Sequence, residues 1–407
     1  MRNRYLTARQ AAAALGVSVG TLYSYVSRGM LRSEPVTGKA RVRRYLVEDV
    51  TRMLERKELR SNPGKAAAKG LHWGNPVLES SLTLIHEGRL YYRGLNAIQL
   101  AEHATVEEVA ALLWTGDSSE AKNIFSEQSL DLASKLCRLI KRIPNLGPIE
   151  RCQLALPIAS TLDAAAYDLR PAAVAKTGAR ILRVLLSAFC GCCQSGAIDQ
   201  ALTRSLASGQ TSVSTAIRAA LVLCADHELN VSAFTARCIA SARGTLYEVV
   251  NGALAAFRGR RHGGASEQIE SLFREIGDSS QVGKVLGRHL RLYGGVPGFG
   301  HPLYPDGDPR ASLLISLSRT YGTASVIDLA DRLVRAAESL TGEAPNLDFG
   351  LVTLSSALQL PPGTSMGLFA LGRTVGWIAH AIEQYADNQL IRPRARYVGV
   401  TPLESSS

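Results

Sequence analysis

Apolar residues recur at helical spacing through most of this chain. Val106, Val109, Ala110 and Leu113 follow the i, i+3, i+4, i+7 rhythm of one buried face, opened by Thr105 and Glu108 as a capping box and stopped at Gly116. The rhythm returns at Val375, Ile378, Ala379 and Ile382. Alternation of period two is rare beyond the N-terminal segment, where "LTLIHEGRLYYRG" reads as a hairpin turning at Glu87 and Gly88. The body is therefore expected to be all-α, helix packed on helix, without a fixed-period repeat.

The first 58 residues follow a different plan. Thr7 and Gln10 form a capping box for a short helix that Gly16 and Val17 end, and Ser18 caps a second helix over 19–27. Leu22 and Val26 turn inward there, leaving Thr21, Ser24, Tyr25 and Arg28 outside. Residues 31–35 and 41–46 suit a small hairpin across Thr37 and Gly38, and a third helix follows over 47–58. This order is that of a winged helix-turn-helix. Residues 59–70, "LRSNPGKAAAKG", read as a linker.

Charge separates the two parts. Residues 1–69 hold 15 Lys and Arg against 5 Asp and Glu; of the chain's 46 and 35, that leaves 31 and 30 for everything else. A small module this basic attracts polyanions by releasing their counterions, nucleic acid first among them. The run "YLTARQAAAALGVSVGTLYSYVSRGML" followed by "RVRRYLVEDV" resembles the excisionase and MerR family of DNA-binding domains. That resemblance implies that the second helix enters the major groove and that the wing, with Arg43 and Arg44, meets phosphates. An interaction or dimerisation module that keeps the fold without DNA is the alternative.

Composition narrows the rest. With 407 residues, 46% hydrophobic and 20% charged, the chain is long and apolar enough for two or three packed domains. Its longest apolar stretches, such as 181–193 with Arg183 inside, fall short of the roughly 20 residues of a membrane span. The start, "MRNRYLTARQ", lacks a secretory signal's apolar core, so a cytoplasmic location is expected. The seven cysteines, including Cys190, Cys192 and Cys193, read as small core residues. No second Cys or His pair stands at zinc spacing, so no metal site is expected.

Four polar clusters break the apolar body: "DHELN" from Asp226, "RHGGASE" from Arg261, "GVPGFGHPLYPDGDPR" from Gly295 and "NLDFG" from Asn346. A cationic set joins them, Arg373 in "GRTVGW" and Arg392, Arg394 and Arg396 in "IRPRARYVG". Asp348 precedes an apolar segment that reads as a helix, so the helix N-terminus is expected to hold it ionised, although the position also suits an ordinary N-cap. His262 precedes Gly263 and Gly264, which let a ligand approach the backbone, and a following helix favours neutral imidazole.

These motifs, in this order, resemble the citrate synthase family from about Leu71 to Gly399. The resemblance implies a citrate-synthase fold, with a large helical domain over 71–211 and 322–407 and a smaller one over 212–321 that closes over the substrates. It implies a homodimer, condensation of acetyl-CoA with oxaloacetate, and an acyl-CoA that is substrate, with no permanently bound cofactor. It further implies Asp348 as general base, His262 as donor to the thioester oxygen, and His301 as the group that polarises the oxaloacetate carbonyl. His227, Arg310, Arg373 and Arg392, the last from the neighbouring subunit, would hold oxaloacetate; Val296, Pro297 and Gly298 would receive the CoA adenine. Arg394 and Arg396 receive no role.

The family often has "PLHGGANE", whereas Arg260, Arg261 and Ser266 stand here, departures that bear on substrate preference and rate. Two alternatives stay open: a 2-methylcitrate synthase using propionyl-CoA, and a DNA-binding regulator that uses the body as a metabolite sensor.

Overall fold

The computed structural model describes residues 5–36, 39–47, 49–51, 53–54, 77–126, 130–207, 210–395 and 397–400. The expected linker at 59–70, the turn at Thr37 and Gly38 and the end of the third N-terminal helix lie outside them. The chain divides into two compact units, residues 1–79 and 80–407.

The first unit runs β1 (Tyr5–Thr7), α1 (Ala8–Leu15), α2 (Val19–Ser27), β2 (Ser33–Val36) and β3 (Lys39–Leu46). Both expected caps form: Thr7 and Gln10 bond reciprocally, and the Ser18 hydroxyl accepts the Thr21 N–H. Gly16 ends α1 at φ 62°, a left-handed angle that glycine takes at no steric cost. The sheet has the order β1-β3-β2, and β1, too short to read as a strand in the sequence, pairs antiparallel with the end of β3. Ala11, Ala12, Leu15, Leu22, Leu31, Tyr45 and Val50 form its core.

The second unit begins with an antiparallel ribbon, β4 (Thr83–His86), β5 (Arg89–Tyr92) and the short β6 (Leu95–Asn96). Its helices are α3 (Ala97–His103), α4 (Val106–Thr115), α5 (Ala121–Ile124), α6 (Leu130–Ile140), α7 (Pro148–Leu162), α8 (Pro171–Cys190) and α9 (Ile198–Leu206). They continue as α10 (Ser214–Cys224), α11 (Val231–Ser241), α12 (Leu246–Phe257), α13 (Ala265–Ile276) and α14 (Val282–Tyr293). The last are α15 (Pro309–Tyr321), α16 (Ala324–Thr341), α17 (Leu347–Ala357) and α18 (Thr364–Asp387). Among the described residues no helix is long and apolar enough to cross a membrane.

Two hydrophobic clusters organise these helices. The larger includes residues of α10 and α12 together with α4, α7, α8 and α18; the smaller gathers Ile269, Leu286, Phe299, Leu333, Phe349 and Val352 from α13 to α17. The clusters therefore divide elsewhere than at residues 212 and 321, since 213–257 pack with the first and α16 with the second. The helix α17 serves both, Leu347, Leu351 and Leu354 in the larger and Phe349 and Val352 in the smaller. Residues at its N-terminal end thus stand at the seam.

The helix α18 is buried on every side from Thr364 to Ile382, so its apolar residues make no single stripe. Gly372 and Gly376 let it approach α10 closely: a Cβ on either would collide with the carbonyl of Leu221 or Ala225. That approach brings the Arg373 side chain to the C-terminal end of α10, where its Nε donates to the Cys224 carbonyl at 2.6 Å. The cysteines are not uniformly interior: Cys137, Cys152 and Cys224 are buried, but Cys192 and Cys193, past the glycine that ends α8, are exposed.

Candidate active site

The seam between the clusters collects the predicted residues. Asp348 lies in the first turn of α17, but the cap is Asn346, whose side-chain oxygen accepts the Asp348 and Phe349 N–H groups. Asp348 is therefore spared the capping task. Its Oδ1 accepts a hydrogen bond from the buried Ser266 hydroxyl at 2.8 Å. Burial raises its pKa to about 6, against the Ser266 hydrogen bond and the charges of Arg310 and Arg373. Desolvation thus outweighs the groups that favour the charged form, and the result is a base that is ionised at neutral pH and poised just below it.

His262 occupies the tight turn between α12 and α13, where its N–H bonds the Gly259 carbonyl. Packing alone demands glycine at the two positions after it. A Cβ on Gly263 would overlap the Phe257 ring, and one on Gly264 would press on the backbone of Arg258 and Arg260. The imidazole stands edge-on to Phe257 and Phe369, with centroids 5.0 and 6.0 Å away. Burial first, and then Arg373, lower its pKa to about 3, so it is neutral. Its Nε2 lies 2.8 Å from the Ser232 hydroxyl, which also accepts the Trp377 indole N–H at 3.0 Å. That hydroxyl gives its one proton to Asn230 Oδ1 at 2.7 Å, an oxygen that can only accept.

His301 follows Gly298 and Gly300, both at positive φ, 89° and 76°. Its Nδ1 accepts the Leu303 N–H at 3.1 Å, which puts the ring proton on Nε2. Burial first, and then Arg310, lower its pKa to about 4. The neighbouring His227 ring stands edge-on to it at 5.1 Å, and His227 Nε2 pairs with the Tyr304 hydroxyl at 3.0 Å. His227 too is held well below its ordinary pKa by burial and by Arg310 and Arg373.

Arg310, fully interior, is gripped by Asp308 through two parallel bonds, Nε to Oδ1 at 2.9 Å and Nη2 to Oδ2 at 2.8 Å. Asp308 caps α15 and accepts the Leu347 N–H, tying the arginine to the start of α17. Burial works against the Arg310 charge, but the Asp308 carboxylate holds its pKa above the ordinary value. Arg310 acts electrostatically on His227, His301 and Asp348, and Arg373 on His227, His262 and Asp348. The carboxylate, three neutral histidines and two buried guanidiniums thus share one locality.

Other predicted residues fall differently. Arg392, in the irregular segment after α18, is exposed and bonds none of these groups; Arg394 is exposed, and Arg396 lies outside the described residues. Val296 is buried in the smaller cluster, and the Gly298 carbonyl is taken by the Asn346 N–H at 2.9 Å, beside half-buried Pro297. On the first unit, Ser24 and Arg28 face solvent. The Thr21 hydroxyl pairs with Ser18, and Tyr25 leans on the core, the reverse of its expected outward placement. Its i+3 spacing from Leu22 puts it on the buried face, and Tyr23 is exposed instead. Arg43 is exposed and donates to Ser33, whereas Arg44 pairs with Glu34 at 3.1 Å and lies over the Tyr5 ring.

Most of the chain is similar to known proteins. The description "Citrate synthase, C-terminal domain" matches residues 70–394, and "Helix-turn-helix domain" matches residues 5–58. Citrate synthase 2 of Bacillus subtilis is 29% identical over 358 residues, 82% of this chain and 96% of that one. 2-Methylcitrate synthase 1 of Corynebacterium glutamicum is 29% identical over 346 residues, 77% of this chain and 90% of that one. The crystal structure of citrate synthase from Thermotoga maritima superposes with a TM-score of 0.69 at 28% identity, covering 83% of this chain and 98% of that one.

Proposed function

Because the chain belongs to the citrate synthase family, we propose that the site at its seam condenses an acyl-CoA with oxaloacetate, acetyl-CoA giving citrate. The observation that carries this reading is the meeting of a carboxylate whose pKa is raised to about 6 with imidazoles that are neutral. A thioester methyl is a very weak carbon acid. It yields its proton only to an aimed base while the developing enolate oxygen receives a hydrogen bond. Asp348 takes the proton, and His262 donates to the thioester oxygen. The enolate carbon attacks the oxaloacetate carbonyl, whose oxygen is polarised and then protonated from His301 Nε2. Water then hydrolyses the citryl thioester and releases CoA. Arg310 and Arg373 bind the two carboxylates of the diacid, planar guanidinium suiting such groups, with His227 alongside. Arg392 comes from the second subunit of a homodimer, and the turn at Val296, Pro297 and Gly298 receives the adenine. The reading calls for no resident cofactor, since the acyl-CoA is consumed.

The relatives named above make citrate in one case and 2-methylcitrate in the other, and one extra methylene changes binding by only about 1 to 3 kcal/mol. The test is release of free thiol from each thioester in the presence of oxaloacetate. Turnover with acetyl-CoA at least equal to that with propionyl-CoA is the expected outcome; a clear excess with propionyl-CoA moves the assignment to 2-methylcitrate synthase, and none with either removes it.

A second role belongs to the basic N-terminal unit, whose α2 carries Tyr23, Ser24 and Arg28 to solvent beside a wing bearing Arg43. We propose that it docks on duplex DNA. Mobility shifts on genomic fragments should show complexes that weaken steeply as salt rises. Arg28→Ala with Arg43→Ala should weaken them at least tenfold; binding indifferent to both substitutions would assign the unit to protein contacts instead.

A further inference from the structure

Resting on the reading of Asp348 as the base, we propose that Ser266 is a positioning residue that ties up Asp348 Oδ1 and so reserves Oδ2 as the oxygen that takes the substrate proton. Ser266 is the second residue of α13, with no exposed surface, and among the described residues its hydroxyl bonds only the carboxylate, at 2.8 Å. A hydroxyl has one proton to give, and an ionised carboxylate accepts only. The bond therefore stabilises the charged form of Asp348 and is weakened when the carboxylate is protonated. It opposes the burial that raises the Asp348 pKa to about 6. It also bridges α13 to α17, fixing the carboxylate plane between two helices of the smaller cluster.

The other groups around Asp348 are accounted for. Arg310 of α15 and Arg373 of α18 pull its pKa down, and Asp308 pushes it up. His262, ahead of α13, and His301, in the loop before α15, are both neutral. On α13, Glu267 is exposed and Glu270 bonds Ser365 and the Gly363 N–H. On α16, Asp328 pairs with Arg332 and Ser279, and Asp331 with Arg319 of α15. On α18, His380 and Glu383 pair with Asp226 and Arg237.

The sign of the effect follows. Without the hydroxyl the carboxylate holds its proton to higher pH, so the acid limb of kcat/KM in Ser266→Ala should rise by about one pH unit, as expected for a lost hydrogen bond to a charged group. Ser266→Thr, which keeps the hydroxyl, should return the limb to its native position. Should Ser266→Ala fail to fold by circular dichroism, Ser266→Cys keeps the volume with a weaker donor and should move the limb the same way. A Ser266→Ala profile that superimposes on the native one, or a shift that Thr does not reverse, overturns the proposal while leaving the base intact. Native turnover in Asp348→Asn would instead overturn the reading beneath it.

Discussion

Asp348→Asn should lower kcat by about 10³- to 10⁴-fold while leaving the fold and the melting temperature nearly unchanged. The substitution is close to isosteric, keeps an oxygen for the Ser266 hydroxyl and leaves the Asn346 cap untouched, because that cap binds the backbone of residue 348 rather than its side chain. What it removes is the basic oxygen. The loss should appear in kcat with KM for oxaloacetate little altered, since Arg310, Arg373 and His227 belong to other elements. Steady-state kinetics with circular dichroism on the same preparation check both halves.

The second large effect concerns stability. Asp308→Ala should destabilise the body by about 3 to 5 kcal/mol, seen as a lower urea midpoint, because it strands the Arg310 guanidinium in the interior. The same change removes the cap of α15 and the acceptor of the Leu347 N–H. Activity should fall too, through loss of the arginine's fixed orientation. Exposed pairs such as Arg332 and Asp328 are the control: Asp328→Ala should leave the urea midpoint essentially unmoved.

The sequence made legible what lies within one helical turn. The capping boxes at Thr7 and Thr105 join partners three residues apart, so their residue types sufficed, and the buried face of α4 followed from its spacing. The same periodicity, applied in full, would have put Tyr25 inward with Leu22 and Val26. What escaped depends on packing between distant segments. Ser232 meets His262 across 30 residues and Trp377 across 145, and no spacing in the chain announces either contact. Asp308, Tyr304 and Trp377 stood inside the conspicuous motifs but without roles, because a partner such as Leu347 or His227 is assigned only by the fold. The raised pKa of Asp348 escaped for a related reason. A helix N-terminus is visible in sequence, whereas desolvation by two converging hydrophobic clusters is not, and here it is the larger effect.

In the proposed reaction one carboxylate removes a proton from a thioester methyl beside neutral imidazoles. Its most direct test is exchange of the acetyl-CoA methyl protons with deuterated water, followed by NMR with a diacid analogue of oxaloacetate that lacks an electrophilic carbonyl, so that enolisation is seen without condensation. Deuterium should enter the methyl group with the native protein, more slowly as pH falls through about 6, and exchange should be negligible with Asp348→Asn. Equal exchange by the native protein and the Asn variant would contradict it.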